Sequence, residues 1–159
     1  MKKFELTAES KIFAGEKLFR IKALISFGNV KEGELGGFVE KEENLSNDGN
    51  AWVYDNAWVY GNARVCDNAR VSDNARVSGN ARVYGNADYA TVQGFGSEYR
   101  TTTFFRTKAG DIGVICGCFY GTLEEFRAKV KETHGETKTA KEYLMVADLM
   151  EFRFSKEEV

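Results

Sequence analysis

The chain has 159 residues, 43% of them hydrophobic and 29% charged, with a formal net charge of −2. That apolar content supports a packed core and excludes a disordered chain. Charge is spread as +2 over residues 1–38, −3 over 39–94 and −1 over 95–159, so no block is basic enough for tight nonspecific nucleic-acid binding.

The opening MKKFELTAES carries two lysines but no apolar stretch of signal-peptide length, and no apolar run approaches a membrane span. The three cysteines, Cys66, Cys116 and Cys118, are an odd set for a disulfide framework. A cytoplasmic protein with reduced thiols is therefore expected. Proline is absent, which suits a chain whose ladder donors are all needed.

Residues 1–38 are predicted to form an N-terminal β segment or cap. In KLFRIKALISFG, Phe19, Ile21 and Ala23 alternate with Arg20 and Lys22, so residues 18–24 read as a strand. FELT can pair with it, with Gly15 in the turn. GELGGF, residues 33–38, reads as a loop leading into the next block.

From residue 39 to 94 the chain repeats every six residues. Asn occurs at 44, 50, 56, 62, 68, 74, 80 and 86, and a small or apolar residue follows each time: Leu45, then Ala51, Ala57, Ala63, Ala69, Ala75, Ala81 and Ala87. Valine occupies 53, 59, 65, 71, 77 and 83, with Val39 and Tyr89 in phase at the ends. A strict period dictates the fold before any other consideration. Six is not a helical period. Each x-Val-x reads as a short strand with Val inward. Asp-Asn or Gly-Asn follows as a corner that tolerates left-handed dihedrals, and Ala fills the tight inside of that corner. Strand and corner in alternation describe a solenoid.

The units VYGNAR, VSDNAR and VSGNAR resemble the hexapeptide repeats of left-handed parallel β-helices. The resemblance implies three units per triangular coil, hence residues eighteen apart in register and somewhat under three coils here. A core that small needs caps. It also implies that the residues flanking each Val face outward in columns: Trp52, Arg70 and Asp88; Trp58 and Arg76; Arg64 and Arg82, with Cys66 near Tyr84. Neighbouring coils would lie about 4.8 Å apart, which suits Trp–Arg cation–π stacking and an Arg70–Asp88 ion pair. The Arg64–Arg82 column has no such partner and is the expected place for an anionic group. Trp52, Tyr54, Trp58 and Tyr60, together with Arg64, Arg70, Arg76, Arg82 and Tyr84, are thus the candidate binding residues. The aromatic members are expected as an exposed patch of hot-spot residue types.

Residues 95–159 read as an α+β cap. EYRTTTFFRTKAGDIGVICGC is predicted as a hairpin, with its turn at Lys108 to Asp111. Thr122 and Glu125 form a capping box for a helix with Leu123, Phe126 and Val130 on one face, ending at Gly135. Thr139 and Glu142 form a second box, for a helix with Tyr143, Val146, Ala147 and Met150 inward. The fold class expected is therefore mainly β: a short β-helix between an N-terminal β segment and a C-terminal cap of a hairpin plus two helices.

The RIKAL…FGNVKEGELGGFVEKEENLS segment, the repeat block and GCFYGTLEEFRAKVKETHG (residues 117–135) together resemble hypothetical proteins of bacteriophages and prophages. That resemblance implies a viral accessory protein and no particular activity. The chemistry agrees. Many hexapeptide proteins are acyltransferases with a coil-junction His as general base, but the single histidine, His134, lies at a predicted helix end where it favours the helix dipole. Cys116 and Cys118 have no second pair or nearby His to complete a metal site. GFGSEY lacks the context of a phosphate loop. No cofactor, metal or catalytic residue is expected. The expected function is non-catalytic binding: inhibition of a host defence factor, by blocking a host protein or sequestering a small anionic or nucleotide ligand. Self-association, as a trimer or a dimer, is expected from the family. An acyltransferase and a structural assembly module are the alternatives.

Overall fold

A computed structural model describes residues 2–13, 15–96 and 100–155. The chain divides into two compact units, Met1–Asn86 and Ala87–Val159, and is mainly β.

In the first unit, β1 (Phe4–Phe13) and β2 (Glu16–Ala23) form an antiparallel hairpin. Gly15 turns it at φ +82°, where an L-residue would be strained. GELGGF is not a loop. Its last four residues enter β3 (Leu35–Val39), which pairs antiparallel with β2. The two glycines mislead because they look like turn formers. Neither has a positive φ, and both are small because backbone passes close by. A Cβ on Gly36 would sit 2.5 Å from the Val53 carbonyl oxygen, and one on Gly37 2.6 Å from that of Ala57.

The repeat supplies six two-residue strands: β4 (Trp52–Val53), β5 (Trp58–Val59), β6 (Arg64–Val65), β7 (Arg70–Val71), β8 (Arg76–Val77) and β9 (Arg82–Val83). They pair in parallel at a separation of eighteen residues: Trp52 with Arg70, Trp58 with Arg76 and Arg64 with Arg82. β3 joins the same ladder through Phe38–Trp58. One side of the solenoid therefore continues as β1-β2-β3-β5-β8. Amides on these strands donate to carbonyls seventeen positions on, as from Trp52 to Ala69 at 3.1 Å and from Cys66 to Val83 at 3.0 Å. The Val side chains of these strands and the corner residues Ala51 to Ala81 are all buried. The corners use the expected backbone: Asp55, Asp67 and Asp73 have φ of 55°, 58° and 59°, and Gly61 and Gly79 have 64°. Asn44, fully buried, starts the stack. Its side-chain amide donates to the Ala63 and Gly61 carbonyls, and its side-chain oxygen accepts from Lys41 and Glu40 N–H, so every polar atom of the side chain is used.

Lys3 ties the N-terminus to the solenoid. Its backbone N–H donates to Asn47 Oδ1 at 2.9 Å and its ammonium to the Ala51 carbonyl at 2.7 Å. The ammonium also lies 4.6 Å from the Phe27 ring centre. Only 1% of the residue is exposed, and desolvation pulls its pKa from 10.5 to about 8, with Asp48 opposing. Above pH 8 the folded chain releases this proton, whereas the unfolded chain holds it up to 10.5. Stability should therefore rise with pH across that window. The phenol of Tyr143, pushed up to about 12 by burial, acts oppositely, but only above its unfolded value of 10. Urea titrations of wild type and Lys3→Met, followed by Trp fluorescence, should differ in slope between pH 8 and 10: rising in the wild type, flatter in the variant. Equal slopes would mean Lys3 titrates as in water. Both Trp residues lie in the first unit, so the signal reports that unit alone.

The second unit is a four-stranded antiparallel sheet, β10 (Tyr89–Phe95), β11 (Arg100–Arg106), β12 (Ile112–Cys116) and β13 (Phe119–Thr122), in sequential order, followed by α1 (Leu123–His134) and α2 (Lys138–Phe154). The β11–β12 hairpin turns at residues 107–111, as expected. Residues 97–99, which close GFGSEY and open that predicted hairpin, lie outside the described residues. Tyr89, in phase with the valines by spacing, instead begins β10 and pairs with Phe105. The six-residue pattern breaks just before it, at a 3-10 turn over Asn86–Asp88.

Thr122 and Glu125 form the predicted capping box of α1, and Gly135 ends the helix at φ +60°. The second helix starts earlier than predicted. Thr137, not Thr139, is the cap, with its side chain accepting from Ala140 N–H. Both threonines have capping chemistry. Starting at 138 places Ala140, Tyr143, Ala147 and Phe154 on the buried face. The core gathers Phe104, Val114, Phe126, Val130, Tyr143 and Met150. On the outside, Arg127 of α1 holds Asp148 and Glu151 of α2 at 2.9 and 2.8 Å.

Candidate functional site

The pairs Trp52–Arg70, Trp58–Arg76 and Arg64–Arg82 stand in register, but the aromatic patch does not stay open. Trp52 is completely buried. Phe4 and Phe27 meet its ring edge-on at centroid distances of 6.4 and 5.3 Å. Trp58 is half-buried against Phe13 at 4.9 Å, with the Arg76 guanidinium 4.4 Å from its ring centre. Phe13 also covers Tyr60, at 5.9 Å. Tyr54 is half-buried, and desolvation pushes its phenol pKa up. These side chains do point out of the coil, as the repeat dictates. The N-terminal β hairpin and the Phe27 segment then cover them. The covering phenylalanines are remote in sequence, so the repeat alone could not show it.

The Arg64–Arg82 side differs. Arg64 is exposed, and among the described residues no hydrogen bond or ion pair engages its guanidinium. Arg82 is half-buried. Its guanidinium donates to the carbonyls of Asn62 and Ala81, both at 2.9 Å, which fixes it against the backbone. Tyr84 is 47% exposed. Arg64, Cys66 and Tyr84 line a depression of about 410 Å³ with Glu42, Glu43 and Ser46. It is mixed in charge, not the purely cationic cradle expected from the column alone. Glu42 pairs with Lys2 at 2.6 Å. Arg70 is exposed, and its backbone N–H donates to Asn86 Oδ1 at 2.8 Å. Asp88 accepts from Arg106 at 2.9 Å.

His134 is the last residue of α1, with its ring 6.0 Å from that of Tyr143. Cys116 accepts a hydrogen bond from Thr102 Oγ1 at 3.2 Å and lies 3.9 Å from the Tyr143 hydroxyl. His134, Cys116, Cys118 and Tyr143 line a cavity of about 300 Å³ in the second unit. Sequence reasoning considered His134 and the two thiols separately and missed that α1 and the β12–β13 turn bring them together. Among the described residues, no three His, Cys, Asp or Glu side chains are placed to hold a metal ion, and no helix is long and apolar enough to cross a membrane.

Residues 63–77 and 75–87 match the family model described as the YdcK beta solenoid repeat. The matches span β6 to β9 and include Arg64, Arg70, Arg76 and Arg82. The repeat is thus of the β-solenoid type. No curated protein matches the chain.

Proposed function

We propose that this is a non-catalytic binding protein of the phage or prophage type, whose left-handed solenoid of about three coils presents the Arg64–Cys66–Tyr84 depression to a host protein and thereby inhibits it. The observation that carries the reading is the contrast between the columns. The Trp side chains are consumed by the N-terminal segment, while Arg64 and Tyr84, both hot-spot residue types, stay exposed beside an Arg82 already held in place. Glu42 and Glu43 in the same depression suit a partner surface carrying both charges better than a small anion. Blocking of a protein is therefore favoured over sequestration of a nucleotide. The resemblance to phage and prophage proteins supports a host defence factor in the bacterial cytoplasm as the target, and the resemblance of the repeat to left-handed β-helices supports a trimer, or else a dimer, as the working form.

The test is native mass spectrometry of the protein purified from its bacterial host, before and after mild denaturation. A stoichiometric host protein should be released. Arg64→Glu with Tyr84→Ala should weaken that complex by roughly 30-fold or more, the scale of one hot spot, with the fold unchanged. A bare oligomer would replace this reading with a structural role, and released coenzyme A with an acyltransferase.

A further inference from the structure

The cavity of about 300 Å³ is lined by residues of the second unit alone and does not depend on the reading above. Its walls are aromatic. Phe126 and Tyr143 meet edge to face at 5.6 Å, and Phe119 lies 5.9 Å from Phe126. Among the described residues its charged side chains are of one sign. Arg100, Lys129 and His134 line it, and among the described residues no Asp or Glu does, in a chain with 24 acidic residues against 22 basic ones. Lys129 reaches Glu132 only at 3.9 Å, and both are exposed.

Two glycines let the polar groups in. A Cβ on Gly96 would collide with the Tyr143 hydroxyl, and one on Gly117 with the Arg100 guanidinium. Both glycines have positive φ, 80° and 59°. Backbone shape therefore admits a phenol and a guanidinium to the same space. Phe126, Lys129, Val130, Thr133 and His134 all come from one face of α1, so a regular element fixes their spacing. The Tyr143 hydroxyl, 3.9 Å from Cys116 Sγ, is thus held at the cavity wall.

We infer that this cavity binds a small planar anion: one aromatic or heteroaromatic ring carrying a carboxylate or phosphate. The ring would stack among the phenylalanines and Tyr143. The anionic group would take charge-assisted hydrogen bonds from Lys129 and His134 and one from the Tyr143 hydroxyl. The volume is at the small end for ligand sites, which run from about 300 to 1,000 Å³. It suits a single ring with one anionic group and leaves a dinucleotide outside.

The cysteines give a test on the unaltered chain. Cys116 and Cys118 line the cavity, and Cys66 is in the first unit. Iodoacetamide alkylation would be followed at each cysteine by mass spectrometry, with benzoate, phenyl phosphate, adenosine monophosphate, benzyl alcohol or inorganic phosphate present at millimolar concentration. The expected result is that benzoate or phenyl phosphate slows Cys116 and Cys118 by about fivefold or more while Cys66 is unaffected, because such sites enclose most of the ligand surface. Benzoate alone would assign a carboxylate, and phenyl phosphate alone a phosphate ester. Adenosine monophosphate as the stronger protector would extend the class to nucleotides. Benzyl alcohol or phosphate protecting as well as the combined ligands would overturn the proposal, as would no protection by any of them. Lys129→Glu should weaken binding by roughly tenfold or more, the loss of one charge-assisted hydrogen bond. Undiminished affinity in that variant would also overturn it.

Discussion

Trp52→Ala is expected to lower the unfolding free energy of the first unit by about 3–5 kcal/mol, the range for removing a large buried aromatic. The indole is fully buried, between Phe4, Phe27 and the close-passing backbone of Gly36. Alanine would leave a void that this surround cannot close, because its walls are a hairpin strand on one side and ladder backbone on the other. The indole Nε1–H is buried, with no hydrogen-bond partner among the described residues. Trp52→Phe therefore loses ring volume but no hydrogen bond, and should cost no more than about 2 kcal/mol. Urea denaturation read through Trp58 fluorescence separates the two. A cost below about 1 kcal/mol for the alanine variant would show that Trp52 is a surface residue, as the repeat alone suggests.

Gly37→Ala should destabilise the same unit by about 1–3 kcal/mol, through overpacking. The new Cβ would lie 2.6 Å from the Ala57 carbonyl oxygen and 2.7 Å from Val53 Cγ1. The carbonyl accepts from Phe38 N–H at 2.9 Å, so it cannot retreat without breaking the first rung of the solenoid. In an unhindered position the same change stabilises by about 0.4–1 kcal/mol, because alanine has fewer unfolded conformations than glycine. The expected sign is thus opposite to the entropic one. Gly85→Ala is the control: nothing lies within 4 Å of its added Cβ, and it should be neutral or stabilising by up to about 1 kcal/mol. If the two variants melted alike, β3 would not approach β4 and β5 as closely as the distances state.

These variants mark where sequence reading succeeds and where it stops. The solenoid was legible because its cause is local. A residue that tolerates positive φ, then Asn, then Ala, then a buried Val, recurs every six positions, and each unit carries its own instructions. The eighteen-residue pairing followed from the family resemblance. The helices were legible from capping and apolar spacing, although Thr137 and Thr139 could not be ranked as caps. Exposure was not legible. Trp52, Trp58 and Tyr60 point away from the coil, but whether they meet water depends on Phe4, Phe13 and Phe27, which carry no mark of their destination. The glycines of β3 were misread because a glycine needed for close approach looks the same in sequence as one needed for a turn. The cavity was invisible for a third reason. Its residues come from β10, β11, the β12–β13 turn, α1 and α2, and nothing in their order announces that they meet.

The pairing at eighteen residues also sets how this chain can change length. Inserting one unit of six would keep every corner and every buried valine in phase, so the core would tolerate it. All later outward residues would, however, move round to the next side, and Arg82 would no longer stand over Arg64. Inserting eighteen would lengthen the solenoid and leave each column intact. Within this architecture the core counts in sixes and the surface counts in eighteens, so gain or loss of a single unit would reassort the exposed faces without unfolding the protein.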